Sequence, residues 1–223
     1  MGVKGNLLKW IENYLRDREQ VTYVNGILSD SEEINGGVPQ GSILGPILFT
    51  LYTSSLGNLI HKCNIKYHIY ADDTQLYNSF AFSDVDDALD QMQNCIHKDQ
   101  IWMKQHNLKK NEEKTEFLII SFKRTVNQLC QKKICINNHD IITSQVVRNI
   151  GVQFDATLSM TSLVTSICKN SYIYIKNILK IKKLLDKSSL EQTVHAFITS
   201  RIDNCNSLLC GVPTSEIQRL QTI

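Results

Sequence analysis

Asp72 and Asp73 are adjacent acids at the point where two short β-prone runs, Lys66 to Tyr70 and Thr74 to Phe80, are joined. Neighbouring carboxylates at a tight turn repel each other unless a cation lies beside or between them, and their hard oxygens suit a divalent ion such as Mg²⁺. Asp-Asp is also good turn chemistry, and for an isolated pair that plainer reading outweighs the metal. The other reactive side chains form no comparable set. His61, His68, His97 and His106 share no ligand spacing, and Trp102, at helical distance from Met103 and His106, fits a core better than a stacking platform. Cys130 and Cys135, like Cys205 and Cys210, are five apart, which is not the close pairing of a zinc finger. With seven cysteines and no secretory leader, the chain is expected to be intracellular with free thiols.

A hairpin must present the two acids, with Ala71-Asp72-Asp73 as its connection, and the flanking sequence supplies helices to pack against it. Before the hairpin, Leu7, Leu8, Ile11, Tyr14 and Leu15 recur at helical spacing, and Gln20 to Leu28 then alternates as a strand does. The polar stretch Ser29 to Gly37 ends in Asn-Gly-Gly, a loop signal, and Ser42 to Ile60 reads as a largely buried helix with Pro46 tolerated in its first turn. After the hairpin, Ser83 is placed to cap a long helix whose stripe of Val85, Ala88, Leu89, Met92, Ile96 and Met103 would cover the sheet as far as Asn107. Thr115 to Phe122 reads as a further strand, and Lys133 to Ile136 with Ile141 to Val147 as a second hairpin around Asn137-Asn138-His139-Asp140. Helices are expected over roughly 160–185 and 189–209, separated at Asp186-Lys187-Ser188-Ser189, where Ser188 or Ser189 would cap the second. The fold class is α+β.

A chain of 223 residues with 42% hydrophobic content buries one good core, or a domain with a helical appendage. Its 24 basic and 22 acidic residues leave a net charge of +2, so any basic surface must be local. Lysines gather in the second half, among them Lys169, Lys176, Lys180, Lys182, Lys183 and Lys187, where the plain reading is a solvated helix face. The longest apolar run, Ile43 to Tyr52, contains Gly45-Pro46 and falls short of the roughly 20 residues of a membrane span, so no membrane is expected as a partner.

The acids do not stand alone. Tyr70-Ala71-Asp72-Asp73 follows Gly37-Val38-Pro39-Gln40-Gly41-Ser42-Ile43-Leu44-Gly45-Pro46, and the two in this order resemble motifs C and B of reverse transcriptases. Leu8-Lys9-Trp10-Ile11 with Tyr14-Leu15-Arg16-Asp17-Arg18 is similar to the helix before motif B in LINE-type, non-LTR retrotransposon polymerases. Leu108 to Glu116 is similar to their motif D region, and Val147-Arg148-Asn149-Ile150-Gly151-Val152 with Asp155 and Leu158 to the strand pair leading to the thumb. Ser200-Arg201-Ile202-Asp203-Asn204-Cys205-Asn206 and Gly211-Val212-Pro213 resemble their thumb helices, with the best match to the jockey-like group.

The resemblance implies an RNA-directed DNA polymerase palm over residues 1–158, an antiparallel sheet with covering helices, followed by a helical thumb segment over 159–223. It implies that Asp72, and with it Asp73, binds the Mg²⁺ ions of two-metal nucleotidyl transfer, using an RNA template, a DNA primer and deoxynucleoside triphosphates. Tyr70 would lie near the primer end or incoming nucleotide, and Pro39, Gln40 and Gly41 near the nascent base pair, with glycine at 41 letting backbone approach nucleic acid. Lys114 matches the motif D lysine that assists the leaving pyrophosphate, although beside Glu112, Glu113 and Glu116 it also reads as an ordinary surface lysine. The family's first aspartate lies upstream in motif A, and Phe82-Ser83-Asp84-Val85-Asp86-Asp87-Ala88 does not replace it, because it follows motif C with helical periodicity. The expectation is a fragment without fingers or motif A, ending within the thumb, which holds Mg²⁺ weakly and does not polymerise alone. The alternatives are a non-catalytic nucleic-acid-binding module and an inert relic.

Overall fold

Residues in left-handed backbone conformations set the β-structure, because two-residue hairpin turns require positive φ. In the computed structural model, which describes residues 3–39 and 41–223, every strand ladder among the described residues is a two-stranded antiparallel pair. With the helices between them, these small sheets make the chain α+β. It forms two compact units, Met1–Lys110 and Asn111–Ile223.

The first unit runs α1 (Asn6–Leu15), β1 (Glu19–Gln20), β2 (Tyr23–Val24), β3 (Ile27–Leu28), β4 (Glu32–Glu33), α2 (Gly45–Lys62), β5 (Lys66–Tyr70), β6 (Asp73–Tyr77) and α3 (Val85–Gln105). The single strand expected over Gln20 to Leu28 is folded in two. Asn25 and Gly26, at φ 49° and 85°, turn β2 back onto β3 inside the outer pair β1–β4. An Asn-Gly step between β-prone residues is a strong hairpin signal, and the hydrophobic alternation had masked it.

On α2 the buried residues Thr53, Leu56, Gly57 and Ile60 form one face, and on α3 the buried face includes Ala88, Cys95, Asp99 and Trp102. Leu56, Ile60, Ile65, Cys95 and Trp102 make the core, joined by Leu76 of β6 and Met92 of α3, so α2, α3 and the hairpin contribute to one apolar cluster. Trp102 is 6% exposed, its ring stacked on His106 at 3.9 Å and its indole N–H donating to Ser55 Oγ at 3.2 Å. Asp99, 1% exposed, is ion-paired with Lys110, which ties the segment after α3 back onto the helix. Ser83 does not cap α3. A 3₁₀ turn over Phe82–Asp84 precedes the helix, and the Ser83 hydroxyl donates to Asp84 Oδ1 at 2.6 Å.

The second unit opens with a 3₁₀ turn, Glu112–Lys114, and continues through α4 (Val126–Leu129), β7 (Lys133–Ile136), β8 (His139–Ile142), β9 (Val146–Asn149), β10 (Val152–Asp155), α5 (Thr161–Ile181), α6 (Lys187–Val194), α7 (Ser200–Asp203) and α8 (Thr214–Gln221). Thr115 to Phe122 has no strand assigned and is held by isolated bonds, Ser144 N–H to Phe117 O at 2.7 Å and Ser121 N–H to Ala156 O at 2.9 Å. The second hairpin turns on Asn137-Asn138 alone, both at positive φ, so His139 and Asp140 belong to β8. Val146 and Val147 enter a further hairpin, β9–β10, around Ile150-Gly151. The expected helix over 189–209 is composite: α6 runs into a π-helical turn, His195–Thr199, then α7 and a 3₁₀ turn, Asn206–Leu209. Its cap is Asp186, whose Oδ1 accepts from the Ser189 N–H at 2.7 Å. Val152, Met160, Leu163, Val164 and Leu220 share one core, so the last strand pair and the following helices fold around the same apolar centre.

Both units offer a contact whose energy can be measured. A Cβ on Gly57 would lie 2.5 Å from the Tyr67 hydroxyl oxygen and 2.9 Å from Cζ, so Gly57→Val should destabilise the first unit by about 1–3 kcal/mol, read from its denaturant midpoint. Between β10 and α5, the Asp155 carboxylate accepts from the Ser159 and Thr157 amides at 2.9 and 3.0 Å and from their hydroxyls at 3.1 and 2.7 Å. Burial pushes this carboxyl up, but the four hydrogen bonds together hold it below its ordinary 3.8. Its contribution is therefore complete above the unfolded value and lost as pH falls through the lower folded one. Asp155→Asn should flatten the stability of the second unit between about pH 5 and pH 2, measured as unfolding midpoint against pH.

Candidate active site on the Asp72–Asp73 hairpin

The register of β5 and β6 pairs Tyr70 with Asp73, so the connection is the two residues Ala71-Asp72 and Asp73 is the first residue of a strand. The expected three-residue connection is one residue shorter, and the two acids differ in backbone setting. Ala71 sits at φ 52°, whereas Asp72 is not among the positive-φ residues, a combination with the φ signs of a type II′ turn, whose first central position ordinarily takes glycine.

Cross-strand partners share a face of a ribbon and neighbours alternate. Tyr67, Ile69, Thr74 and Leu76 therefore line one face, while Lys66, His68, Tyr70, Asp73, Gln75 and Tyr77 line the other. The first face is the one packed on the helices, through Tyr67 over Gly57 of α2 and Leu76 in the core. Tyr70 and Asp73 consequently point away from the helical layer, with Asp72 beside them in the turn. All three are exposed, Tyr70 by 58%.

Only Cys63, Asn64 and Ile65 separate α2 from β5, and Tyr67 of β5 lies against Gly57 of α2. The Pro39–Gly41 segment precedes α2 in the chain. Ser42 N–H donates to Pro39 O at 3.2 Å, and Ser42 Oγ accepts from the Gly45 N–H at 3.0 Å, closing the entry to the helix. Gly41 has φ 80°, and a Cβ there would meet nothing within 4 Å, so glycine is required by backbone conformation and the backbone is open on that side. Gln40 lies outside the described residues. Arg18 Nη2 donates to Gly37 O at 2.7 Å, an anchor for the loop that spacing gave no reason to single out.

Lys114 belongs to the second unit. It is exposed at the end of the 3₁₀ turn, where its backbone N–H donates to Asn111 Oδ1 at 3.2 Å. The fold of the first unit thus joins Tyr70, Asp72 and Asp73, and it does not contain Lys114.

No group of three His, Cys, Asp or Glu side chains suited to a metal ion occurs among the described residues. Mg²⁺ differs from zinc in seldom having an all-protein cage, since one or two carboxylates with water and substrate phosphates complete its octahedron. Two exposed carboxylates at a turn fit that pattern. Among the described residues no helix is long and apolar enough to cross a membrane. Because left-handed alanine is strained by roughly 1 kcal/mol, Ala71→Gly should be neutral or stabilising by up to about 1 kcal/mol in equilibrium unfolding.

Residues 1–154 match the family model of the reverse transcriptase (RNA-dependent DNA polymerase). The chain is 30% identical over 115 residues to the probable RNA-directed DNA polymerase from transposon BS of Drosophila melanogaster, covering 47% of this chain and 12% of that protein. It is 24% identical over 161 residues to the probable RNA-directed DNA polymerase from transposon X-element of the same organism, covering 70% and 17%. To the RNA-directed DNA polymerase from mobile element jockey of Drosophila funebris it is 24% identical over 199 residues, covering 86% and 21%. The matched region therefore spans between 12% and 21% of these relatives. No solved structure matches. The family match takes in both the glycine-rich segment before α2 and the Asp-Asp hairpin, and the chain belongs to the reverse transcriptase family, of the non-LTR retrotransposon, jockey-like kind.

Proposed function

We propose that the chain is part of an RNA-directed DNA polymerase, with a palm over residues 1–158 and the beginning of a thumb over 159–223, whose Asp72 and Asp73 hold Mg²⁺ for nucleotidyl transfer. The observation that carries this reading is the exposed Tyr70–Asp73 pair with Asp72 beside it, on the ribbon face opposite the helices. Bound there, Mg²⁺ would lower the pKa of the primer 3′-hydroxyl and neutralise charge on the triphosphate. Tyr70 supplies an aromatic surface for the primer end or incoming nucleotide, and Pro39, Gln40 and Gly41 a loop for the template base pair. Lys114 supplies a cation for the departing pyrophosphate. The natural partners are an RNA template, a DNA primer and deoxynucleoside triphosphates.

Two carboxylates without a third acid nearby, as among the described residues, hold divalent ions weakly, so the 223-residue chain by itself does not polymerise. A second reading, non-catalytic binding of nucleic acid, draws on Lys169, Lys176 and Lys180, which are exposed on α5 at spacings of seven and four that bring them to one face.

The test is primer extension on an RNA template with Mg²⁺. The isolated chain is expected to give none. A jockey polymerase carrying this chain's Gly37–Tyr77 segment in place of its own should extend the primer, and Asp72→Asn with Asp73→Asn in that chimaera should reduce extension by at least about a hundredfold. Equal extension with and without the aspartates would overturn the assignment, and extension by the isolated chain would overturn its inactivity.

A further inference from the structure

Away from the acids, two thiols meet in the core of the first unit. Cys63 directly follows α2 as its C-cap, and Cys95 lies in the middle of α3. Cys95 is 0% exposed, and half-buried Cys63 packs against the same apolar cluster. The Cys63 thiol donates to the Leu59 carbonyl of α2 at 3.4 Å, and its sulfur packs against the apolar cluster that contains Cys95. The backbone also holds them in place. Gln91, one turn before Cys95 on α3, donates from Nε2 to the Cys63 carbonyl at 3.2 Å, while its Oε1 accepts from Asn78 Nδ2, just past β6, at 3.2 Å. One side chain thus links the end of α2, the end of the hairpin and the turn of α3 that leads to Cys95.

We propose that Cys63 and Cys95 are a thiol-modification site, a pair that a low-molecular-weight disulfide oxidises to a cross-link enclosing the whole β5–β6 hairpin with Asp72 and Asp73. Cys63, partly open to solvent, loses its proton to water, and its thiolate attacks one sulfur of the oxidant. The oxidant's S–S bond breaks, a mixed disulfide forms on Cys63, and one thiolate leaves to take up a proton. Cys95 then gives up its proton and attacks the Cys63 sulfur, expelling the second small thiolate, which is protonated in turn. The protein pair loses two electrons and two protons, and one oxidant disulfide becomes two thiols. Burial, then the neighbouring Cys63 and the charge of Asp99, push the Cys95 thiol up to about 12, so the second step is the slow one. The cross-link would fasten the hairpin between α2 and α3 whether or not the polymerase reading holds.

The test is to incubate the native chain with oxidised glutathione at mildly alkaline pH, alkylate the remaining thiols, digest and identify linked peptides by mass spectrometry. The expected product joins Cys63 to Cys95 and is lighter by two hydrogens than the reduced pair, with a glutathione adduct on Cys63 appearing before it. The unfolding midpoint should rise by roughly 5 °C or more and return on reduction. Cys95→Ser should stop at the Cys63 adduct, and Cys63→Ser, which removes the attacking thiol, should leave Cys95 unmodified. A native chain in which Cys95 stays alkylatable while the Cys63 adduct persists, or in which cross-links form only among exposed cysteines such as Cys205 and Cys210, would overturn the proposal. That outcome is read from the native digest, so it stands even if the serine variants do not fold.

Discussion

The contact of Tyr67 with the bare backbone of Gly57 decides how the first unit is arranged. A helix and a two-stranded ribbon normally keep their distance because side chains intervene on both, and a missing Cβ in the second half of α2 lets the tyrosine ring lie against the helix itself. Once Tyr67 is seated, the alternation of the ribbon leaves no freedom: Leu76 enters the core with it, and Tyr70 and Asp73 must face outward. The placement of the acids is thus a consequence of packing some 15 Å away, and the turn that bears them accepts strain at Ala71 to keep that register.

The second unit solves its corresponding problem with charge and hydrogen bonds. The passage from β10 into α5 includes Leu158 and Met160 at positive φ, a costly path for residues with side chains. Asp155 holds that path by collecting the amide and hydroxyl hydrogens of Thr157 and Ser159, while Met160, Leu163 and Val164 carry the burial. The strand pair and the helices after it are therefore not separable layers; they share a single core.

Where sequence periodicity was long, it read the structure closely. The helix from Gly45 with Pro46 in its first turn, the helix from Val85 and the hairpin flanking the acids follow from apolar spacing and turn chemistry alone. It erred where short-range hydrogen bonding competes with pattern. The alternation of Gln20 to Leu28 hid an Asn-Gly turn, Ser83 lost the capping role to a 3₁₀ turn, and Asp186 displaced its neighbouring serines because its carboxylate reaches the Ser189 amide. Thr115 to Phe122 had strand character but found no partner strand, and a ladder needs a partner that propensity does not supply.

By itself, the sequence determined the family and the chemical candidates, because the order of a glycine-rich segment and a Tyr-Ala-Asp-Asp turn is a one-dimensional property that needs no fold to be seen. It also offered Asp72 and Asp73 as candidates for a cation, and the motif order rather than their adjacency favoured that reading over plain turn chemistry. Only tertiary structure decided that Asp73 is a strand residue paired with Tyr70, that both face away from the helices, and that Cys63 and Cys95 share one core. Those outcomes depend on register and on the approach of α2 to the ribbon, which arise from contacts between residues distant in sequence, where pattern along the chain carries no information.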